Sequence, residues 1–282
     1  MIRIIQQRLD RYSAANAVEE AQATKEIIQE IALYALWRAD FFEVAAFQGG
    51  TSLRILHGLP RFSEDLDFLL KEPNPDFEWS GYLVKLLACF EEYGLQSEAL
   101  PKGRLEKRIQ RAVIKDSSVI NQLALSFYSG QKDQKINIKL EIDIDPPGAS
   151  GYDYTFLDFP TDHEVCHQDL SSNFALKIHA LLCRDYVKGR DWFDFGWYIK
   201  QGVSPNLPHL KNALLQYGPW QGRGDLSVDL AWLKTVMQEK IDSIDWKVAA
   251  ADVERFLKPA EIESLRLWSA RFFSQKLQQM AG

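Results

Sequence analysis

The stretch from Phe47 to Leu70, FQGGTSLRILHGLPRFSEDLDFLL, constrains the fold of this chain more than any other. Gly49 and Gly50 interrupt a short apolar run, and glycine tolerates backbone angles and close ligand approach that other residues resist. Leu53, Arg54, Ile55 and Leu56 read as a short helix, which Gly58-Leu59-Pro60 ends. Ser63 to Leu70 reads as a strand, with Leu66, Phe68 and Leu70 on one side and Asp65, Asp67 and Leu69 on the other. Thr51 or Ser52 is placed to cap the helix, whose free first-turn amides suit phosphate oxygens. Two carboxylates on one strand face repel unless a cation lies between them. A divalent ion, Mg2+ or Mn2+, removes that repulsion and also binds substrate phosphates. The bland alternatives are an ordinary turn and two solvated acids on a sheet edge.

A second acidic strand bears on the same chemistry. From Ile136 to Asp145, Ile136, Ile138, Leu140, Ile142 and Ile144 face one way, and Asn137, Lys139, Glu141, Asp143 and Asp145 the other. Pro146-Pro147-Gly148 stops it. A third carboxylate from this strand would complete a two-metal centre. Glu141 lies mid-strand, Asp143 is the alternative, and Asp145 is nearer the turn.

The rest supplies helices and a few strands. Residues Ile2 to Asp40 read as helix, with Ile27, Ile28, Ile31, Ala32, Tyr34 and Ala35 at helical spacing. Phe41 to Phe47 is the helix end or a brief strand. Trp79 to Tyr93 is amphipathic, Leu105–Ile114 and Val119–Tyr128 resemble strands, and Gly130–Lys135 is a turn. Thr155 to Gln168 reads as a strand with turns, and its Asp162, His163, Cys166 and His167 match no zinc spacing. Ser171 or Ser172 caps a helix from Asn173 to Asp185. Lys177 sits in that apolar run and must snorkel or meet an anion, either a phosphate or a structural carboxylate. In Arg190-Asp191-Trp192-Phe193-Asp194 the two acids share a helix face. Later helices are expected at Leu207–Tyr217, Leu226–Lys240, Trp246–Leu257 and Pro259–Gln279, with Trp220, Trp232, Trp246 and Trp268 as packing anchors.

The expected fold class is α+β. Residues 1–170 are expected to hold N-terminal helices and a small mixed-sheet catalytic core, and residues 171–282 a C-terminal helical domain. With 46% hydrophobic and 26% charged residues in 282, the chain can bury a core. Its net charge of -6 argues against a generally basic nucleic-acid coat but permits a local basic groove, for which the cations between Lys102 and Lys115 are candidates. Cys89, Cys166 and Cys183 form no Cys-x-x-Cys pair, which fits a reducing compartment. The N-terminus MIRIIQQRLD has no apolar signal core, and no stretch approaches a membrane span. A cytoplasmic protein with no membrane partner is expected.

The segments Phe47-Gln48-Gly49-Gly50-Thr51-Ser52-Leu53-Arg54 and Arg61-Phe62-Ser63-Glu64-Asp65-Leu66-Asp67-Phe68 resemble the AbiEii/AbiGii toxin family of the DNA-polymerase-β-like nucleotidyltransferase superfamily. The resemblance continues at Lys139–Ile142, Ala175–Leu182 and Arg190–Asp194. It implies transfer of a nucleotide from a nucleoside triphosphate. Gly49, Gly50, Thr51, Ser52 and Arg54 would hold the nucleotide, Asp65, Asp67 and Glu141 the metal, and Lys177 a phosphate. Asp194 or Asp191 would complete the site, with Ser63 in support. The chain departs from the superfamily's simpler Gly-Ser loop by having Thr51 before Ser52, which leaves open which hydroxyl touches phosphate. The resemblance further implies a type IV-like toxin–antitoxin or phage-defence pair, an antitoxin from a neighbouring gene, and tRNA as an acceptor. Lys102, Arg104, Lys107, Arg108 and Arg111 are the candidate backbone contacts. Competing readings are a nucleotidyltransferase acting on a small molecule or antibiotic, a glycosyltransferase using Asp-x-Asp, and a nucleotide-binding protein without turnover. The nearby glycine loop counts against the glycosyltransferase, and intact Gly50, Asp65, Asp67 and Glu141 against the silent binder.

Overall fold

The computed structural model describes residues 2–105, 108–127 and 135–280. Lys107, Tyr128 and most of the expected turn Gly130–Lys135 lie outside the described residues. The chain forms two units. The first comprises Met1–Gly58, Phe62–Pro146 and Tyr154–His167, and the second Leu59–Arg61, Pro147–Asp153 and Gln168–Gly282.

The first unit is built on a mixed sheet of β1 (Ala45–Gln48), β2 (Leu66–Leu70), β3 (Ser97–Leu105), β4 (Ile109–Asp116), β5 (Ile136–Asp143), β6 (Tyr152–Leu157) and β7 (His163–Gln168). Their order is β3-β4-β5-β2-β1-β7-β6. Strands β2 and β5 are parallel, as are β1 and β7, while β1–β2, β3–β4 and β4–β5 are antiparallel. The alternation read in β5 holds: Ile138, Leu140 and Ile142 are fully buried, whereas Asn137 and Lys139 are exposed and Glu141 is intermediate. Leu66 and Phe68 of β2 extend the same apolar face.

Its helices are α1 (Ile2–Tyr12), α2 (Ala17–Arg38), α3 (Phe41–Val44), α4 (Gly49–His57), α5 (Ser80–Glu92) and α6 (Val119–Gln122). Helix α2 packs on α5 and reaches β5, burying Ile27, Ile28, Ile31, Ala32 and Leu36 with Leu83, Leu86 and Phe90 of α5. The helix expected from Ile2 to Asp40 is broken. Ser13 adopts φ 48°, and the Asn16 side chain caps α2 by accepting from the amides of Val18 and Glu19. Phe41 to Phe47 proves to be both things expected of it, one helical turn and then β1. The strand expected at Val119–Tyr128 begins instead as α6. Asp116 Oδ1 accepts from the amides of Ser118 and Val119 at 2.9 and 2.7 Å and turns the chain there. The strand expected at Leu105–Ile114 is the second arm of the β3–β4 hairpin, whose register shifts between Pro101 and Gly103.

The second unit holds α7 (Leu170–Cys183), α8 (Gly189–Lys200), α9 (Leu207–Gln216), α10 (Leu230–Ser243), α11 (Trp246–Glu254), α12 (Pro259–Ile262), a 3-10 turn (Glu263–Leu267) and α13 (Ala270–Gln279). Helix α7 packs on α8 and α9, α8 on α11 and α13, and α10 on α13. Trp246 stacks on Phe273 at 4.2 Å, and both lie against Trp192. Asp169, rather than Ser171 or Ser172, caps α7, accepting from the Ser172 amide at 2.7 Å. Asp229 caps α10, so that helix starts at Leu230 and not Leu226. The helix expected from Pro259 to Gln279 divides where Ser269 caps α13. Among the described residues no helix is long and apolar enough to cross a membrane.

Phe68 is 1% exposed, with its ring 5.0 Å from that of Phe41 and 5.5 Å from that of Phe47. Phe68→Ala is expected to cost roughly 3–5 kcal/mol through lost burial and a residual cavity. Urea denaturation measures it, and a loss under about 1 kcal/mol would contradict this packing.

Candidate active site

The glycine loop and the acids meet through the register of three strands. Gln48 at the end of β1 pairs with Asp67 of β2, and Asp67 pairs in turn with Glu141 of β5. Register partners point to one face, so Asp67 and Glu141 stand side by side at about the 4.8 Å spacing of neighbouring strands. Helix α4 starts directly after Gln48. Gly49 takes φ +77°, and a Cβ there would fall 2.9 Å from Asp67 Oδ2. The loop backbone thus lies against the carboxylate with no room for a side chain.

Thr51 and Ser52 do not cap α4. The N-cap position falls on Gln48, which makes no side-chain cap bond, because both glycines enter the helix. The two hydroxyls are buried in the first turn instead. Thr51 Oγ1 donates to the Asp65 carbonyl and shares a hydrogen bond with Ser63 Oγ at 2.9 Å. Ser52 Oγ donates to the Gly49 carbonyl at 2.9 Å. Thr51 and Ser63 therefore fasten the segment before β2 to the first turn of α4, and Gln29 of α2 adds a bond to the Glu64 carbonyl at 2.8 Å. Arg54 points elsewhere: its Nε donates to Glu26 of α2 at 2.8 Å, and its guanidinium lies 4.4 Å over Phe62.

Three acids on or beside this sheet face have a cation nearby at long range. Lys139 Nζ lies 3.8 Å from Asp65, Arg111 4.0 Å from Glu141, and Arg108 3.9 Å from Asp143. Asp143 pairs in register with Leu69, and its Oδ1 accepts from the Asp145 amide at 3.0 Å. Glu141, and not Asp143, is the one in register with Asp67. An all-oxygen donor set on adjacent strands, with a glycine cradle beside it, fits a hard divalent cation. Among the described residues no three His, Cys, Asp or Glu side chains already form a metal-holding cluster. Asp65 leans toward Lys139 and Glu141 toward Arg111.

The second unit gathers the other predicted residues. Lys177 of α7 is buried between Asp191 at 2.8 Å and Asp194 at 2.9 Å, both on α8. Asp191 also takes Arg184 at 2.5 Å. Asp194 takes both arms of Arg61 at 2.6 Å. Burial pushes the Asp191 carboxyl up, but Lys177, Arg184 and Lys188 overcome it and hold the group well below the usual carboxylate range. Burial lowers Lys177, and Asp191 and Asp194 more than reverse that. Of the two anions open to Lys177 in the sequence, it meets carboxylates within this unit. Arg61 was missed by the sequence reading. Its only signal is its place immediately before Phe62-Ser63, because its partner lies 133 residues away.

A family profile described as "Nucleotidyl transferase AbiEii toxin, Type IV TA system" matches residues 31–275. The chain belongs to the AbiEii nucleotidyltransferase toxin family. AbiEii members are nucleotidyltransferases, so this protein is an enzyme. Two crystal structures from Helicobacter pylori are similar to it. The protein JHP933 aligns with 92% of this chain and 91% of its own at 16% identity and a TM-score of 0.53. A candidate nucleotidyltransferase aligns with 90% and 95% at 16% identity and a TM-score of 0.49. No curated protein sequence matches the chain significantly.

Gly49→Ala puts a side chain into a left-handed residue at a cost of about 1–2 kcal/mol. It also drives Cβ onto Asp67, so nucleotidyl transfer is expected to fall on the order of 100-fold. Steady-state rates beside a denaturation curve separate the two effects, and a folded variant with normal turnover would contradict the cradle. Asp191 carries a second expectation. A carboxyl depressed by folding contributes stability at neutral pH that is lost as pH falls below about 4. Asp191→Asn should flatten that acid limb in urea midpoints measured against pH, and a limb of wild-type steepness would refute the assignment.

Proposed function

We propose that this AbiEii-family enzyme transfers a nucleotide from a nucleoside triphosphate to an RNA acceptor hydroxyl, with tRNA the acceptor the resemblance implies. One observation carries the reading: Gly49 packs on Asp67 while Asp67 stands in register with Glu141. Phosphate-binding amides and acidic oxygens then serve one substrate from one sheet face.

The first-turn amides of α4 hold the terminal phosphates and stabilise the charge of the departing pyrophosphate. Asp65, Asp67 and Glu141 are the residues that would hold magnesium or manganese, which when bound neutralises the triphosphate and aligns it for attack. Glu141, at the far side of Asp67 from the loop, favours loss of the acceptor proton. The acceptor oxygen bonds to the α-phosphorus as the bond to the bridging oxygen breaks, and pyrophosphate leaves. Thr51, Ser63 and Arg54 keep the loop and the acids in place. Lys177, Asp191 and Asp194 enter as a charged cluster in the second unit. Lys177, Arg184 and Arg61 face two carboxylates there, and that positive surplus suits the phosphate contact the resemblance gives Lys177. The type IV description in the matched family supports a toxin role restrained by an antitoxin partner. Phage defence and a cytoplasmic location belong to the same reading.

Purified protein, magnesium, total tRNA and each labelled triphosphate in turn test it. Label is expected in RNA, and the Asp65→Ala/Asp67→Ala double variant is expected to lose transfer by at least about 1,000-fold. Label entering only small metabolites would replace the acceptor assignment, and normal transfer by the double variant would refute the acids' role.

A further inference from the structure

The mixed sheet ends on two very different strands. At one end, β3 carries Pro101, Lys102, Gly103 and Arg104 and an irregular register. Proline, lysine and a bulge are the usual means by which an edge strand is kept from pairing with another chain. At the other end stands β6, whose one strand neighbour among the described residues is β7. From Tyr152 to Leu157 it has no proline, lysine or glycine.

The exposed side chains of β6 are aromatic instead. Tyr154 is 57% exposed and Phe156 76%, the highest value for a large hydrophobic residue among the described ones. They lie two apart, so they share one sheet face. Thr155 between them turns to the other face, where its Oγ1 bonds His167 Nε2 at 2.9 Å. Lys71, the residue after β2, joins the aromatic face, with its Nζ 5.5 Å from the centre of the Tyr154 ring. The carbonyl of Val44, itself 43% exposed, accepts from the Lys71 amide at 2.9 Å. A contiguous exposed patch of this kind marks an interaction surface, and an undefended strand edge beside it takes up another strand.

We infer that β6 is a dimerisation strand: two copies of the chain join by antiparallel pairing of β6 with β6 about a two-fold axis at Thr155. Such a contact is isologous and closes on itself. Its register follows from self-complementarity. With Thr155 opposite its own copy, Tyr154 lies opposite Phe156 of the second copy, and Phe156 opposite its Tyr154. Aromatic residues directly opposite each other are a favourable cross-strand pair. Charge fits as well. Asp158, the first residue after β6, has a side chain 78% exposed. The same register brings Asp158 of the second copy diagonal to Tyr154, on whose ring Lys71 lies. A cation and an acid thus flank each aromatic pair. A parallel pairing, or a foreign strand without aromatics at this spacing, loses both matches.

The defended β3 edge offers no second joint, so assembly stops at two. The exposed parts of the two rings amount to roughly 200–300 Å² per copy. That is below the roughly 800 Å² per partner of a standard interface. Association is therefore weak, with a Kd on the order of 10–100 µM. The contact takes no part in nucleotidyl transfer, and its test stands apart from that reading.

Sedimentation velocity of the full chain, from about 2 to about 400 µM, brackets that affinity. The unsubstituted protein is expected to pass from monomer to dimer with no larger species. Phe156→Lys, at an exposed position, should weaken association at least about 10-fold and leave the urea midpoint unchanged. Lys71→Glu should weaken it too, and Lys71→Glu/Asp158→Lys should restore it. Cross-linking reads the register. Under mild oxidation a mixture of Tyr154→Cys and Phe156→Cys should give a disulfide-linked dimer, because opposite residues lie within disulfide range. Tyr154→Cys alone should give none, since that position meets itself only on the diagonal. Unsubstituted protein, whose Cys183 is partly exposed, is oxidised in parallel as the control. A monomer at every concentration would overturn the inference. So would a dimer that tolerates Phe156→Lys and yields no mixed disulfide, which places the contact elsewhere. Species larger than a dimer would contradict the closed two-fold pairing.

Discussion

The close approach of Gly49 to Asp67 is the constraint on which the site depends. A triphosphate needs donors and cation-holding acids within a few ångströms of each other, yet acids repel the same phosphates unless a metal intervenes. The fold answers with antiparallel β1 and β2, which bring the end of one strand beside the start of the other. Only a residue without Cβ lets the amides that follow sit directly beside the carboxylate. Thr51 and Ser63 then fix the loop from beneath with bonds to each other and to the Asp65 backbone. The threonine between glycine and serine is thus explained as a fastener of the Asp-x-Asp segment.

Charge is handled in two distinct ways, in tight pairs such as Arg54–Glu26 and in loose ones. In the second unit, Arg61, Lys177 and Arg184 meet Asp191 and Asp194 at 2.5 to 2.9 Å, with both acids and Arg61 buried. Removing one partner of such a set leaves an uncompensated buried charge, typically worth about 3–5 kcal/mol, so the cluster ties α7 to α8. On the open sheet face of the first unit the cations stand 3.8 to 4.0 Å from the acids. Exposed pairs at that range contribute about 0–1 kcal/mol and are easily exchanged for other partners. Tight pairs hold the frame, and the loose pairs on the sheet face leave their charges open to other partners.

Much of this was readable along the chain because it is local. The Asp-x-Asp alternation, the clean period of two in β5 and the Gly58 helix stop are each set by a few neighbours. Cap residues carried more information than apolar periodicity. Asn16, Asp116, Asp169, Asp229 and Ser269 each accept from amides two or three residues ahead, and each moved a boundary that hydrophobic spacing alone placed elsewhere. Strand β3 was not expected; it carries Pro101 and Gly103, which a strand at the sheet edge tolerates at an irregular register. Arg61 and the inclusion of Leu59–Arg61 and Pro147–Asp153 in the second unit depend on distant partners, so no window of sequence contains them.

The net charge of -6 also takes a different meaning once the sheet is assembled. An overall acidic protein repels a polyanion at long range, but at physiological salt that repulsion is screened within about 8 Å. What a charged ligand meets at contact is decided by the few groups on the face it approaches. The registers put Arg111 and Lys139 beside the acids on that face, so its local charge is mixed and not uniformly negative.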